Sequence, residues 1–418
     1  MEGQSSPLLQ TASQQLIPGY QAIGGGDLSP SFPFGFISIP TKITWPYMQQ
    51  WHFDVQHDLM HNTVLTVSYV GTKGTHLGRQ TDLNQIRPVA AADNPYKPGE
   101  PIGGGFDANG DPLHDDCGTM TTPSGVAITG QAAINLGIAC GGDANFFRPF
   151  KGLGTITRLQ PAASSTYHAL QIAGRRTVGS LNLSLAYTYS HSIDDSSDRY
   201  NGDFVNSYDP HSNRASSNFD QRHMLNISYV YDLPFFKEPG LAHTLLGGWE
   251  WSGITSFSTG TPFTVTNGTK YGDNAGVGNG VGTGSYADRV SDPKSNIPPQ
   301  SAGLSNLAGF LFNPNAYVLP QGLTFGNSGR NYLRGPHRTN FDMSLFKHFA
   351  VKESTAFEFR VEAFNIFNHT QWGTPSGSMS CAIGVSAGDP TCLSTADLFQ
   401  FSSSHNPRIL QLGAKFIF

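Results

Sequence analysis

The stretch Arg408-Ile-Leu-Gln-Leu-Gly-Ala-Lys-Phe-Ile-Phe418 decides the fold. In an extended chain Leu410, Leu412, Ala414, Phe416 and Phe418 share one face, and Ile409, Gln411, Gly413, Lys415 and Ile417 share the other. One face is wholly apolar; the other carries a charge and an amide. Termini of soluble proteins usually fray into water, so a final strand that ends on Phe is unusual there. A strand with one face in lipid and the other on a wet lumen needs this pattern. The stretch predicts a strand of an outer-membrane β-barrel.

Composition agrees. Of the 418 residues only 13% are charged, about half the roughly 25% of ordinary globular domains. Glycine is abundant at 48, with 28 Phe, 15 Tyr and 5 Trp. The net charge of -5 and the lack of a basic run argue against a nucleic-acid partner. No run of 18 apolar residues offers a transmembrane helix, but barrel strands are short and only half apolar. Met1-Glu-Gly-Gln-Ser-Ser lacks the basic and apolar regions of a signal peptide. Read plainly, that means a cytoplasmic protein; the alternative is the C-terminal piece of a longer chain.

Period-2 alternation predicts nine strands, over 47–58, 62–72, 166–178, 181–193, 221–234, 247–265, 337–350, 355–368 and 407–418. Most are long enough for a tilted crossing of about 9–11 residues. The connections alternate between short turns and long segments near 73–165, 194–220, 266–336 and 369–406. Compact soluble domains rarely hold several structureless loops of that length. An outer-membrane barrel has short periplasmic turns and long external loops at opposite ends.

The alternation also sets direction. The first and last strands both run toward the periplasm, which makes residues 1–44 an external loop segment and 45–418 barrel wall. Nine is odd, whereas single-chain bacterial barrels have even counts. The expected fold is therefore all-β, an antiparallel transmembrane barrel that is partial, without a plug domain.

Charges assign the faces. Phe357, Phe359, Val361 and Ala363 oppose Glu358, Arg360 and Glu362. An Arg in lipid at the midplane costs roughly 2–4 kcal/mol. Glu358, Arg360, Glu362 and Lys415 are therefore expected on the lumen. Leu181, Leu183, Leu185, Tyr187 and Tyr189 oppose Asn182, Ser184, Ala186, Thr188 and Ser190 in the same way. Aromatics near strand ends, such as Trp249, Trp251, Phe416 and Phe418, suggest interfacial girdles.

Several segments resemble a known family. Asn218-Phe-Asp-Gln-Arg-His-Met-Leu-Asn-Ile-Ser-Tyr-Val-Tyr-Asp-Leu-Pro-Phe235 and Arg360-Val-Glu-Ala-Phe-Asn-Ile-Phe-Asn-His-Thr-Gln-Trp372 resemble barrel segments of TonB-dependent receptors of the Oar-like type. Tyr167-His-Ala-Leu-Gln, Ala186-Tyr-Thr-Tyr-Ser-His-Ser-Ile-Asp194 and Gly248-Trp-Glu-Trp-Ser-Gly-Ile look like further blocks of it. The resemblance covers about 45–418 and implies a barrel of about 22 strands around a plug. It also implies outer-membrane lipid as solvent, uptake of an unidentified solute, and contact with the TonB complex through the plug. Phe416 and Phe418 resemble the signal read by the barrel-assembly machinery. The plug, the TonB box and the earlier strands of the family pattern are not in this sequence.

Other readings are blander. Cys117 with Cys140, and Cys381 with Cys392, sit in loop-like segments without zinc spacing and read as loop disulfides. Asp107-Ala-Asn-Gly-Asp-Pro-Leu-His-Asp-Asp116 lacks the bidentate Glu of a calcium loop, Gly118 standing there. Asp194, Asp195 and Asp198 read as caps rather than cation ligands. His52 and His57 lie on opposite faces of one strand. Gly272–Gly284 reads as flexible loop. No metal, cofactor or catalytic site is expected, and no enzyme. Asp220, Arg222, His223, Asn365 and Asn368 sit at loop bases and read as pins for them. The functions to separate are receptor, surface adhesion or structural barrel, and a soluble secreted all-β binding protein.

Overall fold

The computed structural model describes residues 33–42, 44–59, 62–103, 115–198, 205–236, 238, 240–268, 272–278, 284–297, 309–352, 355–379, 398–401 and 403–418. Nine long strands form its wall: β1 (Tyr47–Leu59), β2 (Thr63–Asp82), β3 (Leu153–Val178), β4 (Leu181–Asp194), β5 (His223–Asp232), β6 (Trp249–Ser258), β7 (Arg338–Lys352), β8 (Thr355–Phe364) and β9 (Ile409–Ile417). Each pairs with its chain neighbours, so the sheet order follows the sequence from β1 to β9 and the sheet is open. All eight pairings are antiparallel. This is the wall of a partial barrel. The nine predicted strands correspond one to one with the nine found.

Two strands outgrow their predicted bounds. β2 and β3 run to 20 and 26 residues, about twice what a crossing needs. Their outer halves form a ribbon above the membrane level. A register shift between Gly74 and Leu77, with His76 at φ 56°, separates the two halves. That break in alternation is why the sequence pattern stops near residue 72. A short strand, Phe34–Ser38, lies parallel to the start of β3, so the segment before β1 is not all loop.

Cross-strand partners share a face, and the rows sort by polarity. Val55, Val67, Ile172, Tyr187, Leu225 and Phe257 are successive partners across β1 to β6. Leu181, Tyr231, Trp251, Leu345, Val361 and Leu412 continue across β4 to β9. The opposite face carries rows such as Gln56, Thr66, Ala173, Ala186, Asn226, Ser256 and Asn340. Among the described residues much of the apolar face is open: Phe53, Leu410 and Leu412 are 68%, 65% and 70% exposed. A soluble sandwich would bury these side chains, so this is the lipid face.

The hydrogen-bonded rows climb. Leu59, at the short-turn end of β1, leads through Thr63, Arg176, Leu183, Tyr229, Gly253, Met343 and Ala363 to Leu410. Leu410 stands seven residues above the short-turn end of β9 at Ile417. Seven residues over eight strand steps, at 3.3 Å rise and 4.8 Å spacing, give a tilt of about 30°. Membrane barrels tilt by roughly 35–45°, so the stagger is of the kind that curls a sheet toward closure.

The large buried apolar side chains lie mainly in the external loops. One core joins Val265, Ala287, Phe312, Tyr317, Leu333, Met379, Leu398 and Phe399, from the loops after β6 and β8. A second joins Tyr96, Ile102, Ile128, Leu136 and Ala139 of the loop after β2 to Leu323 of the loop after β6. Its centre is helix α1 (Gly130–Ala139). The loops thus fold into a cap. Gly272–Gly278 in particular is not a flexible loop: Ala275 and Val277 are buried, and Asn135 of α1 donates to the Ala275 and Gly276 carbonyls at 2.9 and 3.1 Å. Gly276 has φ 63°, and a Cβ there would lie 1.8 Å from the Asn135 carbonyl oxygen.

Candidate functional site

The external rim is where wall and cap meet, and carboxylates hold the join. Asp220 sits just before β5 and its side chain is 1% exposed. It accepts from the Ser192 N–H at 2.7 Å, from Arg222 Nε at 3.1 Å and from the Arg334 guanidinium. His191 Nδ1 lies 3.3 Å away. One carboxylate therefore ties the end of β4, the start of β5 and the loop after β6. Burial alone would raise its pKa; the Ser192 N–H and Arg334 outweigh that and hold the group below its ordinary value.

The same device recurs. The Arg330 guanidinium pairs with Asp194, both buried. Arg148 pairs with Asp82 at 3.0 Å, with side chains 5% and 0% exposed, and also donates to the Asn84 and Gly278 carbonyls. Arg214 pairs with Asp195 at 3.0 Å. Asp194 and Asp195 are thus each paired with an arginine, and among the described residues no group of three or more His, Cys, Asp or Glu is placed to hold a metal ion.

The second motif pins β8 to β9. Asn365 and Asn368 both take left-handed φ, 49° and 51°. The Asn365 side chain accepts from the His369 N–H at 3.0 Å and donates to the His369 carbonyl at 3.1 Å. Asn368 accepts from the Arg408 N–H at 3.0 Å, just before β9. Asn tolerates this conformation better than other side chains with a Cβ.

The expected lumen charges come together on the polar face. Glu358 lies between His348 and Lys415 in register, with His348 Nδ1 at 3.7 Å. Arg360 is paired with Gly413, and Glu362 with Gln411. Above them a polar hollow of about 480 Å³ opens at the rim, lined by Arg338, Asn340, Asp342, Asn365, Gln371 and His405, among others. Arg338 Nε donates to Gln371 at 3.0 Å, and Gln371 donates to Asn340 at 3.0 Å. Arg338, Gln371 and Asn340 thus satisfy one another along one side of the hollow.

On the lipid face an aromatic and imidazole belt marks the outer level. The Tyr69 hydroxyl and His168 Nδ1 are 2.8 Å apart, Tyr187 and His223 Nδ1 2.9 Å. Phe416 and Phe418 stack at 6.2 Å at the opposite end of the wall. Aromatic rings at both levels suit the two interfaces.

Cys117 and Cys140 form a disulfide that ties the segment Asp116–Thr119 to the end of α1. Cys381 and Cys392 lie outside the described residues, as does most of Asp107–Asp116. Asp116 itself is buried and accepts from the Tyr96 hydroxyl at 2.8 Å and the Gly103 N–H at 3.1 Å. Sequence reasoning missed the arginine clamps, because Arg148, Arg330 and Arg334 lie far in sequence from the carboxylates they meet.

A family model described as an outer membrane beta barrel domain matches residues 2–411. No curated protein matches the chain in sequence. Among solved structures, the outer membrane transporter YddB from Escherichia coli aligns over 92% of this chain with 9% identity and a TM-score of 0.40. The alignment covers 34% of that transporter, so this chain spans about a third of its length.

Proposed function

The chain belongs to the outer membrane beta barrel domain family, and on that premise we propose that it is wall and external cap of a TonB-dependent receptor of the Oar-like type, which takes up an unidentified solute. The observation that carries this reading is the charged polar face of β7 to β9 lying beneath a folded, pinned cap. A wall that only held the protein in lipid needs no Glu358, Arg360, Glu362 and Lys415 ladder within. Such a ladder suits a lumen that a plug fills and that polar solutes cross. The cap would select the solute, and TonB would act through a plug supplied from outside these residues. The terminal strand would present Phe416 and Phe418 to the barrel-assembly machinery. No covalent chemistry is proposed.

The test compares the native host with a strain lacking this protein, each with and without functional TonB. Solutes remaining in a defined medium are followed by mass spectrometry. The reading expects at least one polar solute to be depleted only where both proteins are present. Depletion that ignores TonB in every case overturns it.

One observation favours a second reading, surface adhesion. Asn145-Phe-Phe-Arg-Pro-Phe150 exposes three rings on the cap: Phe146 at 74%, Phe147 at 46% and Phe150 at 48%. Exposed aromatic clusters mark contact surfaces. Loss of cell attachment on deletion, with TonB irrelevant, would select this reading.

A further inference from the structure

Lys347 is a cation on the apolar face of the wall, and unlike Arg176 and Lys73 of that face it is buried. β7 alternates Phe341, Met343, Leu345, Lys347 and Phe349 on its lipid side, and Lys347 pairs in register with Trp249 of that same side. A bare ammonium there would face the membrane near its inner interface without a partner. Lys347 is instead 2% exposed. Its Nζ donates to the Gly247 carbonyl, lies 3.3 Å from the His243 carbonyl, and sits over the Phe349 ring at 5.0 Å and the Trp249 ring at 5.9 Å.

Both carbonyls belong to the connection between β5 and β6, which was expected to be a plain turn. It holds a short helix, α2 (Leu241–Leu246), whose C-terminal end carries those acceptors. Helix C-termini are negative and attract cations. The His243 side chain locks to the Phe236 carbonyl at 2.6 Å, closing the connection on itself. Since the ammonium projects from the lipid face, the connection that captures it must fold outward, over the lipid side, and not across the lumen mouth. Its own apolar side chains are then left largely open among the described residues: Leu241 is 83% exposed, Phe235 59%, Leu246 55% and Phe236 52%.

We infer that Leu233–Phe236 and Gly240–Gly248 form an interfacial anchor that inserts into the periplasmic leaflet of the outer membrane, with Lys347 as the peg that holds it against the wall. The occupant of this surface is phospholipid, because the exposed side chains are continuous with the lipid-facing band through Trp249 and Trp251. The inference rests on the membrane placement of the wall and on short connections facing the periplasm. Amphipathic segments of this kind bury their apolar side about 5–10 Å into the headgroup and acyl boundary.

The test uses the full chain in phospholipid vesicles, with Cys381 and Cys392 replaced by Ser. Single spin labels are placed at Leu241→Cys, at Leu183→Cys on the wall, and at Ser291→Cys on the cap. Collision with oxygen, which concentrates in the acyl region, is compared with collision with a water-soluble nickel chelate. The label at 241 is expected at a depth of about 5–10 Å, between those at 183 and 291. A label at 241 as wet as that at 291, with 183 in lipid, overturns the anchor and spares the barrel. Wet labels at both 241 and 183 would instead sink the membrane placement itself. Lys347→Met should free the segment and sharpen the 241 spectrum; an unchanged spectrum and depth would refute the peg. Should that variant fail to insert, the labels in the Lys347 background still decide the anchor.

Discussion

Two adjacent residues of β4 give the sharpest test of the face assignment. β4 begins at Leu181, and a crossing of about 9–11 residues puts its midpoint near Leu185 and Ala186. Leu185 lies between Gly174 and Ile227 on the lipid face, and Ala186 between Ala173 and Asn226 on the polar face. Leu185→Arg would place a guanidinium at mid-height whose cross-strand partners, Gly174 and Ile227, offer no carboxylate. The expected cost is roughly 2–4 kcal/mol, or about 30- to 1000-fold in the folded to unfolded ratio. Ala186→Arg points the same group into the lumen and should cost less than about 1 kcal/mol. Denaturant titration in vesicles, followed by Trp249 and Trp251 emission on the nearby β6, reads both midpoints. Equal losses, or a larger loss for Ala186→Arg, would refute the assignment of apolar face to lipid.

Other outcomes follow from the cap. Asp220→Ala leaves Arg222 and Arg334 without their buried partner, which typically costs about 3–5 kcal/mol; limited proteolysis should then nick the loop after β6 while the wall stays intact. Gly276→Ala cannot be accommodated, since its Cβ would lie 1.8 Å from the Asn135 carbonyl oxygen at φ 63°, so hydrogen exchange at α1 should accelerate. Burial and the bond to Asp116 raise the Tyr96 hydroxyl pKa. A raised folded-state pKa gives stability that is complete below pH about 10 and lost as pH rises above it. Tyr96→Phe should flatten that alkaline loss, as read by the cap's thermal transition.

The wall was legible because lipid imposes a period on the sequence. Leu183, Leu185 and Tyr187 must alternate with Ser184 and Ala186, and no long-range contact is needed to see it. The cap was not legible, because its cores join residues with no common period. Val277 and Asn135 are neighbours only once two loops have folded, and Gly276 looks like flexible linker until α1 lies against it. The pinning motifs stood between these cases. Asp220 and Asn365 could be read as loop bases, but their arginine and backbone partners could not be named. Lys347 was missed, because nothing local shows that the β5–β6 connection covers it.

The directions of β1 and β9 carry one more consequence. Both free edges run toward the short-turn side, so zipping them together would make a parallel seam in an otherwise antiparallel wall. An all-antiparallel seam is thereby not open to the nine strands by themselves. The sheet's edges stay receptive to an odd number of further strands, which restores the even count of bacterial barrels. Strand direction acts here as a gauge for the final bore of the channel.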